Sequence, residues 1–202
     1  MTALDGMRIL DLSQYEAGPS CTQALAWLGA DVVKIERPGV GDPGRTIAMP
    51  DYFMMWNSNK RSVVRELQSE VGRSTLLKML PLYDGMVENF GPGVIEKLRL
   101  GYEEVKEVHP AIIYASVKGF GSFGPYANYK CFDMVAQAAA GAMSVTGEAD
   151  GRPMRPGPTS GDTGTGVQLG MAVLAAYIQS TVSYTHLRAH ETRHDHVCRH
   201  LI

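Results

Sequence analysis

Residues 7–36 read MRILDLSQYEAGPSCTQALAWLGADVVKIE, and this stretch decides the fold class. Residues 7–12 and 30–35 are short, nearly continuous apolar runs, the pattern of strands buried on both faces. Between them Gly18-Pro19-Ser20 opens a helical segment that carries Ala24, Leu25 and Trp27 and stops at Gly29. Strand, helix and strand in that order make a unit whose two strands lie parallel. Working outward, a polar loop rich in Gly and Pro covers residues 36–49, and residues 62–67 read as a third strand that Arg65 weakens. The spacing of Leu76, Leu77, Met79 and Leu80 predicts a helix over 69–83. A strand follows at 85–89, a short helix carries Ile95 and Leu98, and another helix over 102–109 ends at Pro110. Residues 111–117 (AIIYASV) form the clearest strand, and helices over 132–144 and 163–180 complete the pattern. The expectation is an α/β fold: a Rossmann-like, doubly wound, mostly parallel sheet with helices on both faces, incomplete at its C-terminal side.

With 202 residues, 45% of them hydrophobic and 20% charged, the chain can bury a sizeable core. A formal net charge of -2 gives no reason to expect nucleic acid or a membrane as partner. Cys21, Cys131 and Cys198 are too scattered for a disulfide framework and form no CxxC motif, so a cytoplasmic protein is expected. The N-terminus lacks the features of a signal peptide, and the apolar stretch 170–178 is too short to span a bilayer. Residues 183–202 (SYTHLRAHETRHDHVCRHLI) hold five of the six histidines. His190 and His194 share a helical face, with His196, Cys198 and His200 beyond, but structural zinc motifs are more cleanly spaced. The segment instead resembles translated sequencing-adapter read-through. No metal is expected. The chain accordingly divides into 1–182, the N-terminal part of a large domain, and 183–202, a tail expected to be non-native or disordered, with the natural sequence continuing differently after about residue 179.

The chemistry concentrates at Ser160-Gly161-Asp162-Thr163-Gly164-Thr165-Gly166, the head of the last helix. An aspartate there has two readings. As an N-cap it accepts a bond from a backbone N–H; as a nucleophile it needs open space, which Gly161, Gly164 and Gly166 offer. The helix dipole favours its ionised form in either case. Met54, Met55 and Trp56 read as core packing, with an acyl pocket as the alternative.

The order of several motifs resembles that of family III CoA-transferases, the CaiB/BaiF type, and within it the formyl-CoA:oxalate branch. The matching segments are LDG at 4–6 with ILDLS, AGPSCTQALAWLGADVVKIERPGVGDPGR at 17–45, WNSNKRSV from Trp56, VENFGPG from Val87, IIYASVKGFG from Ile112 and GDTGTG from Gly161. The resemblance implies that Asp162 is the catalytic nucleophile. It implies a CoA site with Glu16 and Ala17 at a backbone contact, and with Arg37 near the nucleotide phosphates. Asn89, Phe90 and Gly91 fall in a turn at the adenosine end, Lys97 stands where the family has Arg, and Lys130 and Asp133 belong to a further CoA-contacting stretch. Glu16 departs from the Gln of the formyl-CoA branch, and a carboxylate there opposes an anionic acid such as oxalate. No tightly bound cofactor is implied; a CoA thioester is a substrate. The implied partners are an acyl-CoA, a small carboxylic acid and, in the longer family members, a second subunit in an interlocked homodimer.

Two other functions compete. An α-methylacyl-CoA racemase needs an acid and a base across the substrate α-carbon, usually His with Asp. Its relatives carry that His in a GHD-like motif where this sequence has Cys131-Phe132-Asp133, and His109 is a poor substitute. A non-catalytic CoA- or nucleotide-binding module is the second, since fold alone assigns no reaction. Residues 1–202 alone are expected to be inactive or poorly folded, because the family's second domain and active-site loop lie outside them. Purified 1–202 is expected to give no acyl-CoA turnover in a thioester-exchange assay, and measurable turnover refutes this.

Overall fold

Alternation within β1 (Arg8–Asp11) sends its side chains to two separate cores, because successive strand residues face opposite sides of a sheet. The computed structural model describes residues 2–47 and 50–186. Ile9 faces α1 (Ala17–Trp27) and α7 (Ser160–His186), packing with Cys21, Leu25, Leu169 and Val173. Leu10 faces the other way, toward Leu76 of α3 (Glu70–Met79), Ile95 of α4 (Val94–Lys97) and Val105 of α5 (Tyr102–Val108). The same split separates Val32 from Val33 in β2 (Asp31–Glu36) and Val87 from Met86 in β4 (Gly85–Glu88). With β3 (Arg61–Val64) and β5 (Ile113–Ser116), the five strands form one sheet in the order β3-β2-β1-β4-β5. Every pairing is parallel, with Leu10 opposite Val33 and Met86. The doubly wound layer expected from the sequence is therefore present. Its direction of winding reverses between β1 and β4, and ligands of such sheets bind beside the strand C-termini at that point.

Three local expectations give way. The helix expected over 132–144 is interrupted. α6 (Asp133–Ala139) ends before Gly141, whose φ of 81° is left-handed, and a single 3-10 turn, Ala142–Val145, follows. The last helix begins at Ser160, so Asp162 lies inside its first turn and is not its N-cap. The cap comes from α6 instead: Asp133 Oδ1 accepts from the backbone N–H of Gly161 at 3.0 Å and of Asp162 at 3.4 Å. Met54 and Met55 of α2 (Pro50–Asn57) are 66% and 58% exposed, which overturns the core-packing reading for the two methionines, while Trp56 is half-buried. This helix rides on α1, outside the two main cores, and its methionines do not enter either one.

The three glycines at the head of α7 do different things. A Cβ at Gly166 would stand 1.9 Å from Ser20 Oγ and 2.4 Å from the Ala17 carbonyl oxygen, so the absence of a side chain lets α7 lie on α1. Gly161 is tight against Asp133 and Ala136, and Gly164 alone has open space around it. Of the three positions expected to leave space open, only Gly164 does so. Gly166→Val in the full-length protein is expected to lower stability by about 1–3 kcal/mol, since the opposing backbone cannot move aside. Gly164→Ala is expected to raise it by about 0.5–1 kcal/mol. Urea denaturation of both variants checks the contrast.

Candidate functional site

The loops that follow β1 and β4 meet at the winding reversal and are stitched together there. Asn89 Oδ1 accepts from the Gln14 N–H at 2.7 Å, and Asn89 Nδ2 donates to the Gln14 carbonyl at 2.7 Å. Gly18 lets this loop close, since a Cβ there would stand 2.2 Å from Ser13 Cβ. Tyr15 adopts a left-handed φ of 63° and donates its N–H to Asp42 Oδ1 at 3.1 Å. That turn carries the next residue, Glu16, down into the protein, where it is 2% exposed.

Glu16 meets the head of α7. Its Oε1 accepts from the hydroxyls of Thr159 and Thr163, the latter at 2.6 Å, and its Oε2 accepts from Tyr52 at 3.2 Å. Asp162 shares this turn: its backbone N–H meets Asp133, and its neighbour Thr163 meets Glu16. Burial first, then the charges of Glu16 and Asp133, push the Asp162 carboxyl up to about 6 from an ordinary 3.8. The same surroundings raise its neighbours: burial and the Glu16 charge lift the Tyr52 phenol, and burial and Asp162 lift the Cys131 thiol. Asp133 is positioned by Gln137, whose Nε2 donates at 2.8 and 3.0 Å, and by Arg155 at 3.3 Å.

Of the residues singled out in the sequence, Glu16, Ala17, Asp133 and Asp162 gather around the head of α7. Ala17 is buried as the first residue of α1, with its carbonyl against Gly166. Asn89 pins the adjoining loop. Phe90 packs partly into the core shared with α4, Gly91 is exposed, and Arg37 is exposed just past β2. Lys130 is exposed in the loop before α6. Lys97 lies elsewhere, lining a cavity of about 330 Å³ with Leu67, Gln68, Arg73, Val94 and Leu98 that does not include Asp162. Tyr52, Thr159, Thr163 and Arg73 were missed by sequence reasoning, as was Lys118. Lys118 Nζ donates to Glu88 at 3.0 Å and to the Phe90 carbonyl at 2.7 Å, shaping the 89–91 turn. A hydroxyl three residues before the aspartate and another one after it were the available signal for the threonines; the others had none.

Among the described residues, no group of three or more His, Cys, Asp or Glu side chains is arranged to hold a metal ion. His190, His194, His196, Cys198 and His200 lie outside the described residues. No helix among the described residues is long and apolar enough to cross a membrane.

The model of CoA-transferase family III matches residues 4–183. This chain belongs to that family. A formyl-CoA:oxalate CoA-transferase of Streptomyces coelicolor is 48% identical over 182 residues, covering 88% of this chain and 44% of that protein. One of Rhodopseudomonas palustris is 44% identical over 187 residues, 90% of this chain and 44% of that protein. The crystal structure of a CaiB/BaiF family protein from Brucella suis superposes with a TM-score of 0.87 at 36% identity, covering 91% of this chain and 51% of that one. The family III chain thus spans less than half the length of the curated relatives it matches.

The raised Asp162 carboxyl has a stability consequence. A carboxyl whose folded value exceeds its unfolded one binds more protons in the folded state between about pH 4 and 6, so stability falls as pH rises through that window. Asp162→Asn removes the ionisation. The variant is expected to match the parent below about pH 4 and to exceed it above pH 6 by on the order of 2 kcal/mol, allowing for partial solvent screening. Denaturation midpoints across pH 3–8 test this, and a constant difference counts against it.

Proposed function

We propose that the full-length protein moves CoA between an acyl-CoA thioester and a small carboxylic acid, with Asp162 as the covalent nucleophile. The observation that carries this reading is the setting of Asp162: a half-buried carboxylate beside two other acids, raised to about 6. Such a group is mostly ionised at neutral pH yet more basic than an ordinary carboxylate, which favours attack. Gly164, two residues along the helix, has nothing packed against it, which keeps this turn of α7 uncrowded.

In the proposed sequence the Asp162 carboxylate attacks the thioester carbon and expels CoA thiolate, leaving an acyl-aspartyl anhydride. The thiolate attacks the aspartyl carbonyl, which releases the donor acid and forms an aspartyl-CoA thioester. The acceptor carboxylate then attacks that carbonyl, forming a new anhydride and freeing the thiolate again. Attack of the thiolate on the acceptor's own carbonyl gives the new acyl-CoA and regenerates Asp162. No water, metal or ATP enters the balance. Arg37, exposed at the strand C-termini, suits phosphate oxygens through its planar donors. Lys97 and Arg73 on their shared cavity suit the nucleotide end. An interlocked homodimer belongs to the same proposal.

A racemase reading finds less support. The His109 ring bonds the Tyr83 carbonyl at 3.1 Å, beside the amino-terminal ends of β4 and β5 and so across the sheet from Asp162. In the full-length protein, Asp162→Ala is expected to lower acyl exchange at least about a thousandfold. Mass spectrometry under turnover should find CoA attached at position 162. The acid limb of the kcat/KM profile should fall near pH 6. CoA binding without exchange would favour the non-catalytic module, and solvent deuterium entering the α-position would favour the racemase.

A further inference from the structure

Six carboxylates are buried among the described residues: Asp11, Glu16, Glu36, Asp42, Glu88 and Asp133. Five have a cation. Asp11 and Asp42 share Lys34, Asp11 also meets Lys60, Glu36 has Arg45, Glu88 has Lys118 and Asp133 has Arg155. Glu16 has none; its contacts are the hydroxyls of Thr159, Thr163 and Tyr52. A buried charge is ordinarily paired, because its lost hydration must be replaced. An uncompensated one beside the reacting atoms projects its field on whatever binds there.

From this we infer that Glu16 is a specificity-determining residue, selecting acyl groups that carry no second carboxylate. The inference rests on the transferase reading above. Any acyl group transferred through Asp162 is bonded to its oxygen, and Glu16 is held on the same turn of α7 by Thr159 and by Thr163, the residue next to Asp162. In an oxalyl or malonyl group the second carboxylate stands one or two bonds beyond the reacting carbon. There it meets the charge of Glu16, with Asp133 offset by Arg155, in surroundings that screen less than bulk water. A neutral or hydrocarbon end meets no such opposition. Discrimination of this kind works by repulsion, disfavouring the wrong substrate without tightening the right one.

The test separates charge from size. In the full-length protein, malonate and monomethyl malonate are compared as acceptors from a common acyl-CoA donor. The monoester is expected to react with the higher kcat/KM by about tenfold or more. Glu16→Gln keeps the shape and can still accept from the threonines. It is expected to bring the two acceptors within about twofold of each other and to move the acid limb of the pH profile downward. Preference for malonate by the parent protein, or a ratio unchanged in Glu16→Gln, overturns the inference and leaves the transferase reading intact. Should the variant not fold, the parent's own preference still decides the matter. Absence of exchange with every donor and acceptor overturns the transferase reading itself, and this inference with it.

Discussion

The ammonium group of Lys34 is the constraint on which the site depends. Its side chain is almost wholly buried, yet it donates to the Ser13 carbonyl at 2.7 Å and pairs with Asp42 at 2.8 Å and Asp11 at 3.8 Å. Lys60 completes the arrangement, bonding Asp11 at 3.0 Å and the Pro19 carbonyl at 2.9 Å. Burial pulls Lys60 down to about 8, against the opposing pull of Asp11. Burial alone would raise Asp11, but the two ammonium groups and the hydroxyls of Ser13 and Thr22 hold it well below the usual carboxylate range. Removing one member of such a network strands its partners, at a cost of about 3–5 kcal/mol.

What this network fixes is the backbone from Ser13 to Pro19. Both lysines hold carbonyls of that segment, Asp42 holds the left-handed Tyr15, and Asn89 holds Gln14. The segment has little freedom left, so Glu16 is delivered to one place, against the threonines of α7. α7 is in turn fixed by Gly166 on α1 and by Asp133 at its head. The nucleophilic candidate is thus held between two elements that are themselves locked. Charge at the sheet's carboxyl edge falls into two kinds: compensated pairs that shape backbone, and the Glu16 carboxylate, which among the described residues has hydroxyl partners and no cation.

Membership of CoA-transferase family III agrees with this division of labour, because the matched segment contains the whole sheet, the stitched loops and the head of α7. The cavity bearing Lys97 and Arg73 lies apart from the carboxylate cluster.

The sequence by itself determined the order of the strands, most of the helices though not α2, the parallel sheet and the prominence of Asp162. Apolar runs, helical spacing and glycine placement are local, and the residues concerned lie close together in the chain. Tertiary structure alone decided which charges are buried, since Lys34 in the run DVVKIE gives no sign that it will meet Asp42 and Ser13. It decided that Asp133 caps a helix about thirty residues onward and that Glu16 reaches a hydroxyl 147 positions away. It also decided that Gly166 is a contact and Gly164 a space, a difference no glycine discloses until its neighbours are in place. Electrostatic pairing and close approach depend on distance in space, and chain spacing does not encode that distance until the sheet has brought the segments together.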